Sequence, residues 1–148
     1  MSGNVHLQAI LSSTDKAGVY HLPHTDKKQI VAAAKAAGLT SFRVDLAKVG
    51  TREQLLAAIA DTLKFPAWYG HNLDALADCL GDMSWQPAEG YLVLLEHCDS
   101  IYGAAEADFL SAIEVFAQTA ADWQDQGVAF WCLIEMQADG IAWLPSGP

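Results

Sequence analysis

Two runs, residues 91–95 (Tyr-Leu-Val-Leu-Leu) and 128–134 (Val-Ala-Phe-Trp-Cys-Leu-Ile), are apolar without a break and rich in β-forming side chains. A strand with one face in water alternates apolar and polar residues; a strand covered on both faces does not. Both runs are therefore predicted to be buried central strands. Between them, residues 106–126 place Phe109, Ile113, Phe116, Ala120 and Trp123 on one face at helical spacing, and Gly127 stops the helix. Strands alternating with helices in this way imply an α/β sandwich with a mainly parallel sheet.

The preceding segments fit that pattern. Residues 18–22 (Gly-Val-Tyr-His-Leu) read as a short strand, and Thr25 can N-cap a helix over 26–37 that ends at Gly38. Residues 41–46 set Phe42, Val44 and Leu46 against Ser41, Arg43 and Asp45, the alternation of a half-exposed strand. Thr51-Arg-Glu-Gln54 has the form of a capping box, and Leu55, Leu56, Ile59 and Leu63 supply the helical stripe after it. Pro66 then breaks the chain. Asn72 can cap a further helix that ends at Gly81 or Met83, and Asp139-Gly140 is a hairpin signal that turns residues 141–144 back as an antiparallel edge strand.

Charge narrows the function. All eight basic residues lie in the first 64 positions with five acids, whereas residues 65–148 hold thirteen acids and no Lys or Arg. The halves thus carry +3 and −13, which sum to the net charge of −10. Direct binding of nucleic acid is not expected of such a chain, because nothing in its second half can neutralise phosphates. A basic protein is the natural complement. No apolar stretch is long enough to span a bilayer, and the N-terminus lacks the basic start and apolar run of a secretion signal, so a cytoplasmic protein is expected. Cys79, Cys98 and Cys132 sit among apolar neighbours without ligand spacing and are expected to be reduced and buried. His21-x-x-His24 and the His97-Cys98 pair have no matching ligands elsewhere in the sequence, so no metal and no cofactor is expected.

The most distinctive stretch is residues 65–80, Phe-Pro-Ala-Trp-Tyr-Gly-His-Asn-Leu-Asp-Ala-Leu-Ala-Asp-Cys-Leu. On a helix from Leu73, residues Leu73, Leu76, Leu80 and Met83 fall within a sector of roughly 80° and face the core. Asp74, Asp78 and Asp82 recur at i, i+4 and i+8 on the other side, flanked by Ala77 and Gly81, which leave the row sterically open. Trp68 and Tyr69 precede the helix, where flat amphipathic rings can frame the carboxylates. Asp74 lies in the first turn, where the helix dipole favours an anion; Asp82, near the C-terminal end, has no such support. Such a row is either a solvated helix face or an acidic docking face, on which rigidly held carboxylates meet guanidinium groups.

The run Pro66-x-Trp-Tyr-Gly-x-Asn-Leu-Asp-Ala-Leu-x-Asp-Cys-Leu80 closely resembles the signature of the barstar family of ribonuclease inhibitors, and Trp85, Pro87 and the strand of residues 91–96 continue it. The resemblance covers roughly residues 41–136. It implies one domain made of an N-terminal extension (1–40), a barstar-like core (41–136) and a C-terminal hairpin or tail (137–148). The fold it implies is a mainly parallel three-stranded core sheet packed with helices, which the N-terminal strand and helix extend. It further implies a tight complex with a basic, guanyl-specific ribonuclease, whose active site the acidic side chains would occlude. Carried over position by position, Asp74 and Asp78 match the family's two helix carboxylates, Asp78 the one that enters the active site. Trp68 matches an interface aromatic, and Gly70 and Asn72 match the loop that shapes it.

The chain departs from the family at several positions. Ala77 stands where the family carries a bulky aromatic, and His71 where it carries an acid. Gln118 takes a long-helix position where the family can supply another carboxylate, with Asp122 one turn further along the stripe Glu114, Gln118, Asp122 as its replacement. An enzyme using Asp74 and Asp78 with His71 or His97 is the first competing class. Carboxylates one turn apart on an open face lack the cleft that shifts pKa values, and no phosphate loop, nucleophile elbow or HExxH is present. The second is a barstar-like module for a different toxin nuclease or another basic protein. A monomer is expected. The N-terminal extension could extend the sheet, cover an edge or mediate dimerisation.

Overall fold

The computed structural model describes residues 9–21, 27–66, 70 and 72–135. A helical turn at residues 9–11 and a 3-10 turn at Thr14–Lys16 lead into β1 (Val19–His21) and α1 (Lys27–Ala36). Then come β2 (Thr40–Asp45), α2 (Arg52–Leu63), α3 (Leu73–Asp82), β3 (Gly90–Glu96), α4 (Asp99–Ala104), α5 (Glu106–Asp125) and β4 (Ala129–Ile134). The strands form one parallel sheet in the order β1-β4-β3-β2. The expected three-stranded core is β2, β3 and β4, and β1 adds a fourth strand by pairing with β4, Val19 opposite Cys132. The predicted cap at Thr25 and the hairpin strand over 141–144 lie outside the described residues.

Why β3 and β4 read as unbroken apolar runs is plain from their two faces. Tyr91, Val93 and Leu95 of β3 and Phe130, Cys132 and Ile134 of β4 enter a core shared with α2, α3 and α5. The alternate residues Leu92, Leu94, Ala129, Trp131 and Leu133 enter a second core with Ile10, Leu11, Ile30, Ala33, Ala34 and Leu39. Strand β2 alternates because it is an edge: Phe42 and Val44 are buried, Arg43 and Asp45 exposed. The N-terminal segment therefore takes one of the roles the sequence left open and adds a role it did not suggest. It lengthens the sheet through β1, and it closes the second face of β3 and β4, where the Trp131 indole N–H donates to the Leu11 carbonyl at 3.2 Å.

Local signals behave as written. Thr51 Oγ1 accepts from the Gln54 amide at 3.1 Å, while Gln54 Oε1 accepts from the Gly50 amide at 2.9 Å, one residue ahead of the box's usual partner. Gly38 and Gly127 stop their helices at φ of 85° and 78°, a conformation that favours a residue without Cβ. The long helix differs from expectation only in being preceded by the separate short helix α4, the two divided at Ala105 (φ −150°, ψ 63°).

Candidate functional site

Helix α3 is held at both ends. At its start the Asn72 side chain accepts the Ala75 amide at 2.7 Å, satisfying one of the donors a helix N-terminus leaves open. At its finish the Trp123 indole N–H, reaching across from α5, donates to the Leu80 carbonyl at 2.9 Å. Met83 closes the helix in the left-handed region at φ 50°. Between these anchors Leu76, Cys79 and Leu80 are fully buried and Leu73 half-buried, so the helix cannot roll without opening the core. Trp85 repeats the device next door, donating to the Leu63 carbonyl at the end of α2 at 3.0 Å while stacking edge-on against Phe65.

The face turned outward carries Asp74, Asp78 and Asp82, all exposed, with exposed Ala77 and Gly81 beside them. Helix geometry separates successive carboxylate positions by about 6 Å along the axis. Asn72 and Gly70 are exposed at the entry to the helix, and Asn72 Nδ2 donates to the Gly70 carbonyl at 3.4 Å. Trp68, Tyr69 and His71 lie outside the described residues. Gln118 and Asp122 are exposed on α5, joined by a hydrogen bond from Gln118 Nε2 to Asp122 Oδ1 at 2.9 Å.

Helices α3 and α5 leave an open groove of ≈ 760 Å³ between them. Leu73 and Ala77 line one bank; Ser111, Glu114, Val115, Ala117, Gln118, Thr119 and Asp122 line the other. The fold thus brings Gln118 and Asp122, some forty residues on in sequence, to the same surface as Ala77, with Asp74 and Asp78 one residue outside Leu73 and Ala77.

A second charged cluster, at the carboxyl ends of the strands, was not visible in the sequence. Glu96, which ends β3 and is only 7% exposed, accepts from Arg43 Nε at 2.6 Å and Nη2 at 3.1 Å, and from Lys27 Nζ at 2.9 Å. Lys27 also pairs with Glu135 at 2.9 Å. His97, turned into the left-handed region at φ 57°, gives its amide to Glu135 Oε1 at 3.0 Å and holds Nδ1 3.5 Å from the same oxygen. The Arg43 guanidinium, seconded by Lys27, holds the Glu96 carboxyl down at about 2. Burial pushes the Glu135 carboxyl up, but Lys27 and the His97 amide outweigh it and leave it below the usual range. The hydrogen bond to Glu135, ahead of the pairing with Glu96, raises Lys27.

His97 is therefore not isolated among potential ligands, as the sequence suggested. Donor atoms of Glu96, His97 and Glu135 lie within 4.8 Å of one another. Two cations already occupy the Glu96 carboxylate and one the Glu135 carboxylate, so the donor set works as an ion-pair network. The three cysteines are free and buried, as expected. Burial, reinforced by Asp78 and Asp82, lifts the Cys79 thiol to about 11, which keeps it protonated and unreactive at neutral pH.

A parallel sheet buried on both faces, one clamped helix presenting a carboxylate row, and a groove at that helix's side define an acidic-faced α/β protein. The chain belongs to the barstar family: residues 39–135, about two thirds of its length, match the family described as Barstar (barnase inhibitor). That is a family of inhibitors, and the matched segment begins just after α1, so β1 and α1 lie ahead of it. No curated protein sequence matches the chain. Among the described residues no helix is long and apolar enough to cross a membrane.

Proposed function

We propose that this protein inhibits a basic ribonuclease by seating the outer face of α3 in the enzyme's phosphate-binding site. The observation that carries the proposal is the exposed row Asp74, Asp78, Asp82 on a helix fixed at both ends. Because the backbone is already ordered, docking costs little conformational freedom beyond the side chains themselves. Three carboxylates on one face repel one another by a few tenths of a kcal/mol per adjacent pair, roughly, and a cationic site relieves that repulsion. The thirteen acids and no Lys or Arg after Lys64 add a long-range field that steers a basic partner toward the face. Asp78 is the central contact, Asp74 and Asp82 support it, and Trp68 and Tyr69, a few residues ahead of the helix in sequence, are proposed as further contacts. Gly70 and Asn72 shape the entry to the helix, and Gln118 and Asp122 extend the surface across α5.

Titration of the purified protein into a guanyl-specific ribonuclease tests this directly. Inhibition is expected, and Asp78→Asn is expected to weaken it roughly 10- to 100-fold, the worth of one charge-assisted hydrogen-bond set. The loss should be larger at low salt and should come without a fall in melting temperature, since the substitution relieves the repulsion in both adjacent pairs. Absence of inhibition at micromolar concentration would exclude the guanyl-specific enzyme. The same face would then serve a different toxin nuclease or another basic protein, a reading that Ala77 and Gln118 favour because both alter the surface beside Asp78.

A further inference from the structure

We infer that the ion-pair network at the carboxyl ends of β3 and β4 is an exchangeable cation site, in which a divalent ion of the zinc class takes the place of the Lys27 ammonium and binds Glu96, His97 and Glu135. The inference uses no residue of α3 or α5 and is independent of the ribonuclease proposal.

Two adjacent parallel strands bring the ligands together. Glu96 ends β3 and Glu135 directly follows β4, each one residue past the paired Leu95 and Ile134. Their backbones are fixed. The Glu135 amide donates to the Leu95 carbonyl, the Leu46 amide to the Glu96 carbonyl and the Cys98 amide to the Glu135 carbonyl, each at 2.9 Å. His97 takes the left-handed conformation and its ring lies beside Glu135. This end of a parallel sheet is where open α/β folds commonly bind ligands.

The distances suit a metal ion. Lys27 Nζ lies 2.9 Å from Glu96 Oε1 and 2.9 Å from Glu135 Oε2, so a cation already bridges the two carboxylates. Donor atoms on a tetrahedral zinc ion stand about 3.4 Å apart, from metal–ligand distances of about 2.1 Å. His97 Nδ1 is 3.5 Å from Glu135 Oε1, long for a hydrogen bond but close to the spacing of two ligands on one ion. All three donors lie within 4.8 Å of one another, so small side-chain rotations close the set and leave a fourth position for water. The exposed imidazole gives an ion access from solvent. Arg43 keeps its bond to Glu96 Oε2 and orients that carboxylate, as partners behind metal ligands commonly do. One imidazole with two carboxylates selects the zinc class over Ca²⁺ and Mg²⁺, which call for more oxygen ligands. Because Lys27 begins α1, metal binding and the tie between α1 and the strand ends weaken each other.

The test is calorimetric titration of Zn²⁺ into the full chain freed of metal by a chelator, with Co²⁺ absorption reporting the coordination. One saturable site of micromolar affinity and a tetrahedral cobalt spectrum are expected, with Ca²⁺ and Mg²⁺ at least tenfold weaker. His97→Asn removes the imidazole, keeps a residue that tolerates the left-handed conformation, and should weaken binding at least tenfold. Lys27→Met removes the competing ammonium and should tighten binding at least threefold. Replacing His21 and His24 together by Ala removes the other histidine pair of the sequence and should change nothing. Absence of saturable zinc binding by the parent, binding that survives intact in a His97→Asn variant melting as the parent does, or a Lys27→Met variant that binds no tighter would each overturn the inference.

Discussion

Glu96 ties two separate parts of the chain to the end of the central strand. It accepts from Arg43 on the neighbouring strand and from Lys27 at the start of α1, and its side chain is 9% exposed. A carboxyl held at about 2 against an ordinary 4.5 binds protons less readily folded than unfolded. Its stabilising contribution is therefore complete above pH 4.5 and is lost as the pH falls toward 2. Urea denaturation of the parent and Glu96→Gln between pH 6 and pH 2 should show the gap close: about 2–3 kcal/mol at neutral pH and little at the acid end. A gap that stays constant with pH would mean that the carboxylate's charge does no stabilising work.

At the scale of one element, α3 is a surface made rigid by its neighbours. Helices of about ten residues are marginal in water, so its order comes from the Asn72 cap, the buried Leu76–Cys79–Leu80 stripe and the Trp123 donor. Asn72→Ala is expected to cost about 1 kcal/mol, the usual worth of an N-cap. Trp123→Phe keeps an aromatic ring against Tyr91 but leaves the Leu80 carbonyl without its donor, at about 1–3 kcal/mol. The two act at opposite ends of the helix and should add, within about 0.5 kcal/mol, in chemical denaturation. Strong coupling between them would show that the cap and the clamp report a single loosening of the helix.

For the molecule as a whole, the decisive feature is that both faces of the central strands are covered, one by α2, α3 and α5 and the other by the segment ahead of the family match. Removing residues 1–38 would uncover Leu92, Leu94, Trp131 and Leu133, each at most 1% exposed. At about 1.5–3 kcal/mol per large apolar side chain, four such residues represent roughly 6–12 kcal/mol, comparable with the entire stability of an ordinary domain. The truncated chain is expected to lose cooperative thermal unfolding and to bind a hydrophobic dye. A sharp transition near that of the full chain would show that the second face tolerates water.

Much of this architecture was legible in the residues. Unbroken apolar runs marked β3 and β4, alternation marked the edge strand β2, and Thr51, Asn72, Gly38 and Gly127 marked where helices begin and end, because each signal acts within a few residues. The acidic row was equally plain, since helical periodicity alone puts Asp74, Asp78 and Asp82 on one side. What could not be read locally depends on distant partners. Lys27 and Glu96 meet across 69 positions, and Arg43 and Glu96 across 53, so nothing near Glu96 announces its cations. The groove beside Ala77 exists only because α5 crosses α3 at that height. Which of its possible roles the N-terminal segment takes was likewise a matter of packing: a strand-forming run states that it will pair, and only the assembled sheet, with one face of β3 and β4 still bare, decides where.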